Sequence, residues 1–170
     1  MDVETAIRTR RTHKAYGPDP LDRETLTELL DLARWTPNHH LTNPWRFRVL
    51  GPGALARLKE AVGPEGATKL DRAPTLVAVS YVRTPDDPGA DEEDLLATGA
   101  AAYGILLGAH ARGLAGYWRT IGALNDQAGR AAIGLPESEH AIGLLHLGTP
   151  RQDQRVPERA PLADVLTFLD

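Results

Sequence analysis

The sequence predicts one domain in which helices and strands alternate, and three observations carry that expectation. The chain has 170 residues, the size of a single domain. Apolar residues make up 42% and charged residues 25%, enough of each for a buried core and a solvated surface. Helical periodicity alternates with short β-branched runs, and neither a repeat nor a long linker divides residues 1–170.

Residues 2–9 read as a helix with Val3 and Ile7 on one face. The next helix is marked more strongly. Asp22 is a good N-cap, Glu24 suits the positive end of the helix dipole, and Leu26, Leu29, Leu30 and Ala33 follow the helical period until Pro37 ends it. Arg46 to Leu50 reads as a strand, Ala54 to Val62 as a short helix closed by Gly63-Pro64, and Thr75 to Val82 as a buried strand of β-branched residues. Asp91, Glu92, Glu93 and Asp94 then open a long helix reaching Arg112, their carboxylates complementing its dipole. Gly104 and Gly108 on that helix let another backbone approach, at about 1 kcal/mol each against alanine. Leu114 to Arg119 reads as a short strand, Asp126 to Ile133 as a helix capped by Asn125, and His140 to Leu147 as a strand. Beyond Gly148-Thr149-Pro150 the chain is polar and carries Pro157 and Pro161, with an apolar pattern only from Leu162 to Leu169. Such a tail either packs on a neighbouring subunit or lies loosely on the surface.

Composition removes several functions. With no cysteine there is no disulfide, thiolate nucleophile or zinc-thiolate site, so redox chemistry requires a bound cofactor. A net charge of −4 argues against nucleic acid as partner, yet Arg8, Arg10, Arg11 and Lys14 gather around His13, a local cation cluster that suits a small anion. No apolar run reaches membrane-spanning length, and Met1-Asp2-Val3-Glu4 lacks the basic start of a signal peptide, so the expectation is a cytoplasmic protein without membrane contact. Neither serine, Ser80 or Ser138, sits in a nucleophile elbow. The acidic run from Asp86 to Asp94 lacks calcium-loop spacing, and the histidines lack the zinc-protease pattern. His39 and His40 are adjacent, so in an extended segment they point opposite ways and make a poor metal pair. Gly51-Pro52-Gly53-Ala54-Leu55-Ala56 superficially matches a dinucleotide fingerprint, but Pro52 removes an N–H where phosphate donors are wanted, and the segment reads as a turn.

Two segments carry more. Thr36-Pro37-Asn38-His39-His40-Leu41-Thr42-Asn43-Pro44-Trp45-Arg46-Phe47 is stiffened by proline at both ends of its polar part and holds more donors and acceptors than its backbone needs. With Trp35 and Trp45 beside it, it reads either as a binding loop for a planar heteroaromatic ligand or as solvated histidines next to core tryptophans. Tyr117-Trp118-Arg119-Thr120 ends a strand with an aromatic, a guanidinium and a hydroxyl, good ligands for phosphate or ring carbonyls, although an edge-strand arginine in a surface ion pair gives the same pattern.

Taken in order, Arg10-Arg11-Thr12, the segment from Trp35 through Trp45, Trp118-Arg119-Thr120, and Gly143-Leu144-Leu145-His146-Leu147-Gly148-Thr149-Pro150 resemble the nitroreductase family. More narrowly, the chain resembles its small members, which carry a P-[DN]-H-x-x-x-x-P-W loop and a W-R-[ST] segment. The resemblance implies an α+β fold, a central mostly antiparallel sheet wrapped by helices, and an intertwined homodimer with two FMN sites at its interface. It assigns Arg10, Arg11 and Thr12 to the FMN phosphate and ribityl chain. It implies that Trp35 and His39 reach the flavin from the partner subunit and that Asn43 stands where relatives carry a ring-contacting amide. Trp118, Arg119 and Thr120 lie beside the flavin, and Arg151 is a further phosphate ligand. A guanidinium near the N1–C2=O side of the ring would stabilise the anionic reduced flavin.

The implied activity is that of an NAD(P)H oxidoreductase working by a ping-pong cycle. NADH or NADPH gives hydride to the flavin, nicotinamide leaves, and the electrons pass to a nitroaromatic, quinone or similar conjugated electrophile. The cofactor supplies the reactivity, so no catalytic side chain and no metal ligand is assigned. Alternatives are a flavin-using enzyme of another type, such as a metabolite dehydrogenase, and a low-turnover flavin carrier or sensor. Ile121, between Thr120 and Gly122, departs from the pattern of related small members and implies a reshaped loop beside the flavin.

Overall fold

Capping and periodicity set the helices that carry the site. The computed structural model describes residues 1–169; Asp170, last residue of the expected domain, lies outside the described residues. Helix α1, Val3–Thr9, starts where the Asp2 carboxylate accepts the Thr5 N–H at 2.9 Å. Helix α2, Arg23–Asp31, starts in the same way on Asp22, which accepts from Thr25 at 2.7 Å, and buries Leu26 and Leu29. A 3₁₀ turn, Leu32–Trp35, prolongs α2 toward Pro37.

Strands β1 (Trp45–Val49), β2 (Thr75–Val82), β3 (Ala115–Arg119) and β4 (Glu139–Gly148) form one sheet in the order β1-β2-β4-β3, antiparallel at every pairing. Helix α4, Pro88–Ala111, covers one face together with α2, over Val77, Val79, Leu145 and Leu147. Helices α3 (Pro52–Leu70) and α5 (Gln127–Ile133) cover the other, over Leu76, Ala78 and Leu144. Burial on both faces explains why β2 runs apolar from Leu76 to Val79 rather than alternating. The architecture is α+β, as the resemblance implies.

The structure departs from the sequence reading in three places. The helix breaks at Gly63-Pro64 as expected, Gly63 turning at φ 70°, but Pro64 then opens a further helical stretch to Leu70, where a missing N–H costs nothing. Asn125 does not cap α5. Its side chain clamps the Ala141 backbone instead, donating to the carbonyl at 2.8 Å and accepting from the N–H at 2.9 Å. Helix α4 begins at Pro88, before the acidic residues, capped by the Asp87 carboxylate on the Ala90 N–H at 3.1 Å.

Strand β4 carries a bulge opposite Val79 and Ser80, where Gly143 adopts φ 146°. The Trp118 indole N–H donates to the Ile142 carbonyl there, at 3.2 Å. After β4 the chain runs over the surface with only a short 3₁₀ turn, Leu162–Asp164, and its apolar residues stay exposed.

Candidate functional site

Arg10 leaves α1 as its C-cap, and the chain then runs extended beside β3, with Thr12 bridged to Gly116 and Tyr16 bridged to Pro150. The tail after β4 passes the same place. Together they enclose a cavity of about 220 Å³ lined by Arg10, Arg11, Thr12, Gln154, Arg155, Pro157 and Arg159. Four guanidinium groups face it, and no carboxylate is among the described residues of its wall. The Arg10 and Arg11 Nε atoms and the Gln154 amide nitrogen are buried without an acceptor. Orphaned, charged donors around a small space fit a phosphate-sized anion, since a buried donor left unpaired is costly.

The two N-terminal arginines are not equivalent. Arg11 Nη1 donates to the Arg8 carbonyl at 2.7 Å and to the Arg10 carbonyl at 2.9 Å, closing the end of α1. Arg10 instead lies over the ring of Tyr103 on α4. Beneath them, Thr9 Oγ1 and His110 Nε2 are hydrogen-bonded at 2.8 Å. Burial lowers the pKa of both His13 and His110; proximity of the two rings lowers that of His13 further, and the neighbouring arginines depress both.

Arg151 lies apart from this group. It lines a second, larger cavity of about 690 Å³ with Lys14 and Arg72, in which Asp71 is paired with Lys59.

The loop from Thr36 to Pro44 lies against the first half of α4. His40, Leu41 and Asn43 have φ of 49°, 53° and 47°, conformations that cost non-glycine residues about 1 kcal/mol or more apiece. Local bonds impose them. Asn38 Oδ1 accepts the Asn43 N–H at 2.9 Å, Asn43 Nδ2 donates to the Leu41 carbonyl at 2.7 Å, and Thr42 Oγ1 donates to the buried Asp94 carboxylate at 2.6 Å. Asn43 thus spends part of its amide on shaping its own loop. His39 stands 3.9 Å from Glu93 beside a cavity of about 480 Å³ whose floor is Leu96, Ala97 and Ala100. Of the flanking tryptophans, Trp45 is core at 7% exposure, whereas Trp35 is 81% exposed and is not core.

Trp118 and Arg119 are sent to opposite faces by strand alternation. Trp118 packs on the α4 side, whereas Arg119 lies near Glu65 and His146 on the α3 side, and Thr120 is exposed. Ile121 caps the next 3₁₀ turn and packs on the α3 side. His146 is 1% exposed with both ring nitrogens unpartnered.

Within one chain the anion cavity and the loop do not meet. Asp94 under the loop and Tyr103 under Arg10 are separated by about 14 Å along α4. Sequence reasoning missed Arg155 and Arg159; their signal was the fourfold spacing of Arg151, Arg155 and Arg159 in a tail read only for its prolines.

The fold is of the nitroreductase-like class. A nitroreductase-like family protein from Bacillus cereus superposes with a TM-score of 0.90 at 22% identity, covering 100% of this chain and 97% of that one. A provisionally named nitroreductase from Desulfovibrio desulfuricans, solved in complex with FMN, superposes with a TM-score of 0.82 at 26% identity over 100% of this chain and 98% of its own. A Haemophilus influenzae protein provisionally named an NAD(P)H nitroreductase is 30% identical over 88% of this chain and 89% of its own. The 5,6-dimethylbenzimidazole synthase of Rhodospirillum rubrum is 26% identical over 92% of this chain and 85% of its own. The nitroreductase family model matches residues 7–149, and the chain belongs to the nitroreductase family.

Proposed function

We propose that this chain is an FMN-dependent NAD(P)H oxidoreductase that reduces nitroaromatics, quinones or similar conjugated electrophiles by a ping-pong cycle, acting in the cytoplasm as an intertwined homodimer. The observation that carries the reading is the arginine-walled cavity with its orphaned Nε atoms. The FMN complex of the Desulfovibrio relative and the provisional name of the Haemophilus relative support it.

FMN, when bound, supplies reversible two-electron chemistry at its isoalloxazine ring. The chain's own residues bind and orient it. Arg10, Arg11 and Thr12, with Arg155 and Arg159 from the tail, hold the phosphate, a dianion that two guanidiniums can neutralise. The end of β3 would place Trp118, Arg119 and Thr120 beside the ring, Trp118 from the α4 face of the sheet and Arg119 from the α3 face, and Arg151 would add positive potential from its separate cavity. Trp35 and His39 would reach the flavin across the interface, and the Asn43 amide would contact its ring. Their strained loop is rigid enough to hold an acceptor in place and keep water out. The separation of loop and cavity within one chain, and the exposure of Trp35, Leu41 and Leu96, support a shared site in a dimer.

Arg10→Ala and Arg119→Ala test the assignment. Each is expected to leave a folded protein whose FMN dissociation constant rises about tenfold or more, read by flavin fluorescence quenching, because each removes a charged hydrogen-bonding partner. Unchanged retention in both variants refutes it.

Similarity to the Rhodospirillum synthase favours a second reading, a flavin-using enzyme of another reaction type. Failure of NADH and NADPH to reduce tightly bound FMN favours that reading, or a low-turnover flavin carrier or sensor, over the first.

A further inference from the structure

Helix α4 presents one aromatic residue to the cavity group that the binding assignment leaves without a role. The Tyr103 ring, 36% exposed, lies 5.4 Å from the Arg10 guanidinium carbon. Nothing in the local sequence brings them together. The contact exists because α1 is laid on the second half of α4, where Thr9 bonds His110.

Arg10 needs such a support. Arg11 is fixed by two backbone carbonyls, whereas the buried Nε of Arg10 has no acceptor. A long side chain in that position would sweep several rotamers, and ordering it on binding would cost affinity. A guanidinium stacked on an aromatic face is held by charge–quadrupole attraction while its edge, which carries the N–H donors, stays available.

We propose that Tyr103 is a positioning residue for the anion cavity: its ring holds the Arg10 fork aimed at the phosphate position before the ligand arrives. The inference rests on the reading of this cavity as the FMN phosphate site. The Tyr103 ring meets the cavity group through Arg10, so its expected influence is confined to the phosphate end. Tyr103→Phe keeps the aromatic face and therefore the function, and Tyr103→Ala removes it.

The test is titration of flavin-free, full-length protein with FMN and with riboflavin, which lacks the phosphate. Tyr103→Ala is expected to weaken FMN binding about five- to tenfold, within the range of a guanidinium–aromatic contact, and to leave riboflavin binding unchanged, which also shows that the fold is intact. Tyr103→Phe is expected to match the wild type for both ligands. In the double variant with Arg10→Ala, Tyr103→Ala is expected to add no further loss, because its effect passes through Arg10. The proposal is overturned if Tyr103→Ala binds FMN as the wild type does, if it loses riboflavin and FMN equally, or if its loss adds to that of Arg10→Ala. Wild-type protein that binds riboflavin as tightly as FMN overturns it differently, by removing the phosphate reading beneath it.

Discussion

Gly143 shows how one residue couples the sheet to the segment beside the site. At φ 146° it accommodates the β4 bulge, and a Cβ built there would lie 2.5 Å from the Arg119 carbonyl oxygen and 2.7 Å from the Trp118 indole nitrogen. Neither neighbour can yield, since one is backbone and the other is an indole already bonded to Ile142. Gly143→Ala is therefore expected to lower stability by about 2–3 kcal/mol, read as a shift in the urea midpoint with unchanged slope. An unchanged midpoint would mean that Trp118 and the bulge move independently. The strained loop obeys the same logic with different chemistry: Asn38, Asn43 and Thr42 hold three positive φ angles through their own side chains, one of them anchored on Asp94. The proline-bounded, amide-rich sequence disclosed that this loop was rigid, but its anchor on α4 is a contact of distant residues that no local pattern contains.

Among the elements, β4 carries a buried histidine with no hydrogen-bonding partner for its ring. Burial, reinforced by Arg119 and Arg72, pushes the His146 pKa down from 6.5 to about 4. Between those values the unfolded chain binds a proton that the folded one refuses. Stability is therefore fully present above pH 6.5 and is lost as pH falls toward 4. The loss amounts to about 3 kcal/mol, at 1.36 kcal/mol per pKa unit. His146→Leu is expected to flatten the pH dependence of the urea midpoint across that window, and an unchanged slope would show that His146 does not titrate on unfolding. The elements themselves were largely legible. Asp22 and the leucine spacing of α2, the β-branched run of β2 and the glycine-bearing α4 obey local rules, and the structure keeps them. The extension of α3 past Gly63 was hidden because Gly-Pro is equally a stop and a restart. The role of Asn125 was hidden because an asparagine before a helix satisfies a cap and a long-range clamp with the same atoms.

At the scale of the molecule, the four segments that carry the family resemblance follow α1, fill the α2–β1 loop, end β3 and run through β4 to Pro150, and the fold brings only part of them together. The tail after β4 completes the anion cavity with Arg155 and Arg159, residues whose placement depends on the return of the chain past Arg10 rather than on any motif. The loop, about 14 Å further along α4, and the exposed apolar side chains of Trp35, Leu96 and Phe168 accord with a site shared between two copies. The central claim is that such a site holds FMN and takes electrons from a nicotinamide nucleotide. The most direct test is the visible absorption spectrum of the purified protein before and after anaerobic addition of NADH and then NADPH. Flavin bands that bleach with one or both donors are the predicted result, and the donor that bleaches them is the physiological class. A colourless protein that exogenous FMN fails to reconstitute would contradict the account.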